Sequence, residues 1–272
     1  MTNSTRVKII KCPDGEEWAM IRSDKTMQDL TDEKPFSRWD PHYWHPKYEN
    51  ALKEMFSTYY PVESLGRYIT LITYGSTKPR DYSSKDGVGV KYIRSVNVLF
   101  TGLNESDIHW IKEDGRLDGE QYRVYYKDIV MNKCGTGTSG RTFCYFKRDK
   151  VVVSQHTMLI RVENIEPSYI VVFMGTNYGV LQFEKYDKGT SGQTHIDFDD
   201  VKSIKMPILP EKVQSHIEAE YKKMSAYHDK AMDAKTKGDE ANYKTNIQKA
   251  EVMLKDLITR TEAVIRGERK DI

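Results

Sequence analysis

The chain has 272 residues, 38% hydrophobic and 30% charged, with a formal net charge of +2. That is enough apolar material for a real core in one large domain or two smaller ones. The near-neutral balance implies no broad electrostatic grip on nucleic acid, so any such binding must come from local patches.

No apolar run approaches the roughly 20 residues that a helix needs to cross a bilayer. Cys12, Cys134 and Cys144 are odd in number and lack C-x-x-C spacing, and no apolar signal segment opens the chain. A reducing, cytoplasmic setting without a membrane is the expectation.

In chain order, Val7–Ile10 and Trp18–Ile21 read as a hairpin joined by Pro13-Asp14-Gly15. Pro46 then opens a helix through Tyr48, Leu52 and Phe56, apolar every fourth residue. His42 and His45 just before it share metal-ligand spacing, but the flanking prolines and the want of a third ligand argue against zinc.

From Leu65 to Pro210 the texture becomes short β-rich runs punctuated by Gly, Asp and Ser. Gly135, Gly137 and Gly140 in GTGTSG match the G-x-G-x-x-G spacing of a dinucleotide loop. That motif needs a helix after the glycines, whereas Arg141–Phe146 reads as a strand. A hairpin turn between Asp128–Met131 and that strand is the default. Lys133, Arg141, Lys147, Arg148 and Lys150 around it suggest a loop for a nucleic-acid groove. Tyr169–Phe173 has strand propensity, though Pro167 equally suits a helix start. Asp197, Asp199 and Asp200 resemble a magnesium cluster, but capping of a short helix is the better reading.

After Pro210 the pattern is helical. Ile217, Tyr221, Met224, His228 and Ala231 form one apolar stripe, and Ile247, Ala250, Leu254, Leu257, Thr261 and Val264 form another out of phase with it. Gly238 and Asp239 between them favour two helices folding back over one long helix with a stutter. Such a stripe needs a covering surface. Ile217, Tyr221, Met224, Ile247, Leu254, Leu257 and Val264 are therefore the expected oligomer or partner interface, the alternative being a solvated helix packed on its own domain. Changing Leu254 and Leu257 to Asp is expected to abolish assembly and leave the globular part folded. No catalytic or metal-ligating constellation is found, so catalysis within this chain is not expected.

Three ordered segments carry a family resemblance: LGRYITLITYGSTKPRDYSSKDGVGVKYIRSVNV, then YYKDIVMNKCGTGTSGRTFCYF, then GTSGQTHIDFDDVKSIKMPILPEKVQSHIEAEY. Together they resemble a target recognition domain from the DNA specificity subunits of type I restriction-modification systems. RWDPHYWHPKYENALKEM is similar to the N-terminal segment of related subunits, including type IIB-like ones. Pro207 to Gln214 stands where the family has a Pro-Leu-Pro-Pro-type signature, a conservative departure. Only one recognition domain and one spacer are found where a complete subunit has two of each, which resembles a half-subunit.

The resemblance implies an α/β (α+β) fold. An N-terminal hairpin and helix over 1–60 pack on a β-rich recognition domain over 61–210, followed by a helical spacer over 211–268. It implies a helix over Pro167–Tyr186. It also implies double-stranded DNA as ligand, with methylation by a separate modification subunit holding S-adenosylmethionine, none being held in this chain. A second copy as a homodimer reading an interrupted palindrome follows, with a restriction subunit as a further partner. Lys78, Arg80, Tyr82, Arg94, Asn97, Thr138, Ser139, Arg141, Lys147, Arg148, Gln193, Thr194 and His195 supply the donor chemistry that base edges and phosphates need. The rival is a protein–protein adaptor with a helical assembly arm and no DNA-reading role.

Overall fold

A computed structural model describes residues 7–11, 17–21, 43, 45–77, 81–83, 87–135, 138–186 and 195–272. Strands β1 (Val7–Lys11) and β2 (Glu17–Ile21) pair antiparallel as the turn chemistry predicts. Helix α1 (Pro46–Phe56) starts at the expected proline, with the His45 ring accepting from Lys47 N. Pro13–Gly15, Cys12 and His42 lie outside the described residues.

β3 (Val62–Ser64) leads into β4 (Ile69–Tyr74), followed by β5 (Val90–Ile93), β6 (Val98–Leu99), β7 (Gly102–Leu103) and β8 (His109–Ile111). Then come β9 (Ile129–Asn132), β10 (Thr142–Cys144), β11 (Val151–Val153) and β12 (Thr157–Val162). The central antiparallel sheet has the order β10-β9-β12-β4. Its side chains alternate between two cores: Ile129, Met131, Met158 and Ile160 face the helices, while Val130, Leu159 and Phe143 face a second sheet. That second sheet has the order β11-β5-β8.

Helices α2 (Pro167–Gly175) and α3 (Asn177–Tyr186) follow, and the Tyr169–Phe173 stretch is helical. Pro167 fills the first turn, and the Glu166 side chain accepts from Ser168 N. Asp197 and Asp200 form a capping box on α4 (Phe198–Ser203), which leads into β13 (Lys205–Pro207) beside β3. These carboxylates therefore serve as caps, and among the described residues no group of three His, Cys, Asp or Glu could hold a metal ion.

The C-terminal region is two antiparallel helices, α5 (Glu211–Thr236) and α6 (Glu240–Ile265), with Gly238 in the turn and Asp239 capping α6. No described helix is long and apolar enough to cross a membrane. The fate of the stripe differs from the expected interface. Ile217, Tyr221, Met224, Leu254, Leu257 and Val264 are buried in the same core as α2 and the sheet. The Tyr221 hydroxyl accepts from Cys144 N of β10 at 3.3 Å. These six side chains cover the chain's own core and offer nothing to a partner, while Ile247 alone of the set is half-buried.

The β6–β7 turn is braced from both sides. Asn97, fully buried, accepts from Arg94 N at 3.0 Å and donates to the Asn104 and Asp107 carbonyls, both at 3.0 Å. It is an internal brace and not a base reader. From α5, buried His228 contacts the Thr101 hydroxyl through Nδ1 and the Leu103 carbonyl through Nε2, each at 2.9 Å. A neutral ring fits this pair, Nε2–H donating and Nδ1 accepting. Gly102, at φ +151, leaves the ring room: a Cβ there would lie 2.6 Å from His228 Cδ2.

Three outcomes follow for stability. Leu257→Asp places an unpaired charge in the core and should cost about 4 kcal/mol or more, unfolding the recognition domain together with the helices; a retained thermal transition would contradict this packing. Asn97→Ala should cost about 1–3 kcal/mol by orphaning buried backbone groups, measured by urea denaturation. Burial lowers the His228 pKa, with the Leu103 bond opposing. The unfolded ring, titrating near 6.5, takes up its proton first, so the stabilisation is complete above about pH 6.5 and shrinks as pH falls. The gap in melting temperature between wild type and His228→Gln should therefore narrow from pH 7.5 to pH 5.5.

Candidate nucleic-acid interface

The central sheet gathers four strand ends at one edge: β4 finishes at Tyr74 and β9 at Asn132, while β10 and β12 begin at Thr142 and Thr157. The segments leaving these ends are tied by backbone pairs. Ser76 bridges Ser154, and Cys134 bridges His195. Lys133 N donates to His156 O at 3.2 Å, and Lys133 O accepts from Ile196 N at 2.9 Å. Stretches far apart in sequence thus lie side by side.

The glycine segment is a hairpin turn with a strand on each side, which removes the dinucleotide-loop reading. Gly140 N donates to Asn132 O at 2.9 Å and Asn132 N to Arg141 O at 2.8 Å, closing it. Gly135 at φ +112 and Gly140 at φ +81 take conformations that other residues resist. Thr138 and Ser139 follow with N–H bonds to Gly135 O at 3.0 and 2.8 Å. The Asn132 side chain donates to Ser95 O at 2.9 Å, fixing the hairpin against the turn before β6. Asn132 Oδ1 and Ser139 Oγ are buried without a hydrogen-bond partner among the described residues.

Lys133 holds its ammonium 3.7 Å from the Tyr74 ring centre, and Tyr74 stacks on Phe198 at 4.0 Å. No carboxylate pairs with Lys133 among the described residues. Burial first, then the nearby Asp197, pushes the Tyr74 hydroxyl up to about 12, so the ring stays neutral. Cys134 Sγ lies 3.5 Å from His156 Nδ1, and burial raises its pKa, so the pair is no activated nucleophile.

Of the residues expected to meet DNA, Thr138, Ser139, Arg141 and His195 share this edge. Lys78, Arg80, Gln193 and Thr194 lie outside the described residues. Tyr82 packs edge-on to Tyr92 and His109 in the second sheet. Arg94 donates to the Asp107 carbonyl at 2.6 Å and carboxylate at 2.8 Å, while Asn97 is the brace already described. Lys147 and Arg148 leave the opposite end of β10, roughly 20 Å from Arg141 at about 3.3 Å per extended residue. Lys147 is held by Glu105 and Asp229, and Arg148 lies over the Tyr126 ring at 4.9 Å. The basic cluster read around the glycines therefore divides between two ends of the sheet. Asn132 and His156 escaped sequence reading, since only the strand register reveals that they stand at the same edge.

No family model matches the sequence, and no curated protein matches it. Among solved structures, the type IIG restriction endonuclease BpuSI is similar at a TM-score of 0.50, with 12% identity over 90% of this chain and 36% of that one. The HsdS subunit from Thermoanaerobacter tengcongensis gives a TM-score of 0.44 and 13% identity over 82% of this chain and 51% of its own. The type I restriction-modification S subunit from M. genitalium gives 0.43 and 11% over 66% and 42%. The chain spans between 36% and 51% of the length of these proteins. At such identities the likeness is one of fold, and the fold is one that this chain shares with part of BpuSI, a restriction enzyme.

Proposed function

We propose that this chain is a sequence-specific DNA-recognition subunit that directs a separate methyltransferase or restriction subunit to its site. The observation that carries the reading is the sheet edge itself. Rigid strands present there the glycine hairpin, the Ser76 and Ser154–His156 segments and His195, with Lys133 lacking a carboxylate partner among the described residues. Hydroxyls and an arginine on a braced turn suit base edges, and Lys133 suits a phosphate. The fold shared with part of a restriction endonuclease, and the resemblance of the sequence segments to a target recognition domain, support the same reading.

In this reading the methyl donor, S-adenosylmethionine, binds the modification subunit, and this chain contributes no catalytic group. One domain of this size covers few base pairs, too few to single out a genomic site. A second copy related by a two-fold axis supplies the other half-site, through a surface other than the buried stripe. The rival adaptor reading lacks DNA binding altogether.

Purified chain should shift duplex carrying its target sequence in a salt-dependent, sequence-selective manner. Arg141→Ala should weaken binding by roughly 1–3 kcal/mol if the side chain reads a base, or lower the salt slope by about one if it meets a phosphate. A folded wild-type protein with no preference for any duplex, alone or with its modification subunit, would leave the adaptor reading in place.

A further inference from the structure

The turn between β11 and β12 carries two polar side chains at the sheet edge on a tightly bonded backbone. Thr157 N donates to Ser154 O at 3.0 Å, and the buried Ser154 and Thr157 hydroxyls bond each other at 3.0 Å. Ser154 N donates to Ile93 O at 2.8 Å, and Gly75 N donates to Ser154 O at 3.1 Å. That approach of β4 requires a glycine, since a Cβ at Gly75 would stand 1.7 Å from Val153 O. From the glycine hairpin, Lys133 N donates to His156 O at 3.2 Å. The tip of the turn is Gln155, half-buried, and His156, exposed.

These two side chains are themselves ordered. The Gln155 amide nitrogen lies 3.1 Å from His156 Nε2, and His156 Nδ1 lies 3.5 Å from Cys134 Sγ. An amide nitrogen only donates, so the ring accepts at Nε2 and carries its hydrogen at Nδ1, directed at the sulfur. The amide makes no other hydrogen bond among the described residues. Its second N–H and its carbonyl oxygen therefore lie side by side in one plane, one a donor and the other an acceptor. A side chain held in this way by a second one has the preorganisation that a reading contact needs.

Such an edge selects its partner. A phosphate offers acceptors alone and would leave the amide oxygen unmatched. In the major groove guanine offers two acceptors, thymine one acceptor and cytosine one donor, whereas adenine sets the N7 acceptor beside the N6 donor. The Gln155 amide is the complement of that last pair. Lys133, bonded through its backbone to the same turn and without a carboxylate partner among the described residues, supplies a cation for the phosphate strand.

We propose that Gln155 reads an adenine, donating to N7 and accepting from N6 in the major groove, with His156 as the positioning residue that fixes the amide. The proposal rests on the DNA-recognition function argued above and names the base that one of its side chains selects.

The test uses the full chain, with its modification subunit if binding requires it, and a pool of random-sequence duplexes. Wild type should enrich one word; Gln155→Ala should enrich the same word with the preference for adenine lost at one base pair and kept elsewhere. On the wild-type word Gln155→Ala should bind about tenfold more weakly, in keeping with one lost bidentate pair. The slope of log affinity against log salt should stay unchanged, since no phosphate contact is lost. At that base pair 7-deazaadenine, which lacks the N7 acceptor, should weaken wild type and leave Gln155→Ala unaffected. Gln155→Glu, with acceptors only, should move the preference there toward cytosine. His156→Ala should relax the same base pair and no other. An unchanged word in Gln155→Ala, a uniform loss across sequences, or a salt slope that falls with the affinity overturns the proposal. So does indifference of wild type to 7-deazaadenine at every adenine of the word, a result that needs no variant to fold. Failure of the parent function looks different: wild type itself would enrich no word, and the assignment would fall with it.

Discussion

The structure depends on the need to cover α2 on every side. Its first eight residues, Pro167 to Met174, are all buried. A helix that is apolar all round has no face to offer water and must be enclosed. Strands β9 and β10 enclose it on one side and helices α5 and α6 on the other. The helical hairpin is accordingly one wall of the core, and the bond from Cys144 N to the Tyr221 hydroxyl ties that wall to the sheet. The sheet in turn is buried on its second face by β11-β5-β8. A layered arrangement of helices, sheet and sheet results, and the strand ends project from it on backbone that has little freedom to move.

What could be read from sequence follows the range of the forces involved. Turn and cap chemistry acts over a few residues, so the β1–β2 pairing, the start of α1 at Pro46, the Asp197 cap and the break at Gly238 were all legible. Tyr169–Phe173 was not legible from its own residues, because an enclosed helix lacks the periodicity that separates helix from strand; the family resemblance implied the helix that is found. The helical stripes were seen, but whether they cover their own domain or a partner depends on contacts with β10 and α2 that no local pattern encodes. Lys147 shows the same limit. Six residues from Arg141 in sequence, it lies at the other end of a strand and is held by Glu105 and Asp229 from distant segments.

A near-neutral chain can still leave a cation unpaired while other cations among the described residues are committed to carboxylates. Asp128 binds Arg161 in a two-pronged pair at 2.8 Å, Lys127 lies between Glu166 and Glu218, and Lys91 between Glu105 and Asp149. These pairs tie strands and helices together within the fold. Lys133 rests on the Tyr74 ring and has no carboxylate partner among the described residues. Long-range attraction by a chain of such low net charge is weak.

The pairing of β3 with β13 bears on how the chain reaches this state. Lys205 and Ser64 join across 141 residues of sequence, and Ile208 N extends the pairing to Pro61 O. Closing so wide a loop carries an entropic cost that only assembled intervening structure offsets. During synthesis β3 has no strand to meet until β13 has left the ribosome, and α2 has no outer wall until both C-terminal helices follow. The apolar helix at the centre therefore lacks that wall from its own synthesis until the C-terminal helices emerge, which makes the last quarter of the chain the step that ends its exposure to chaperones and to other nascent chains.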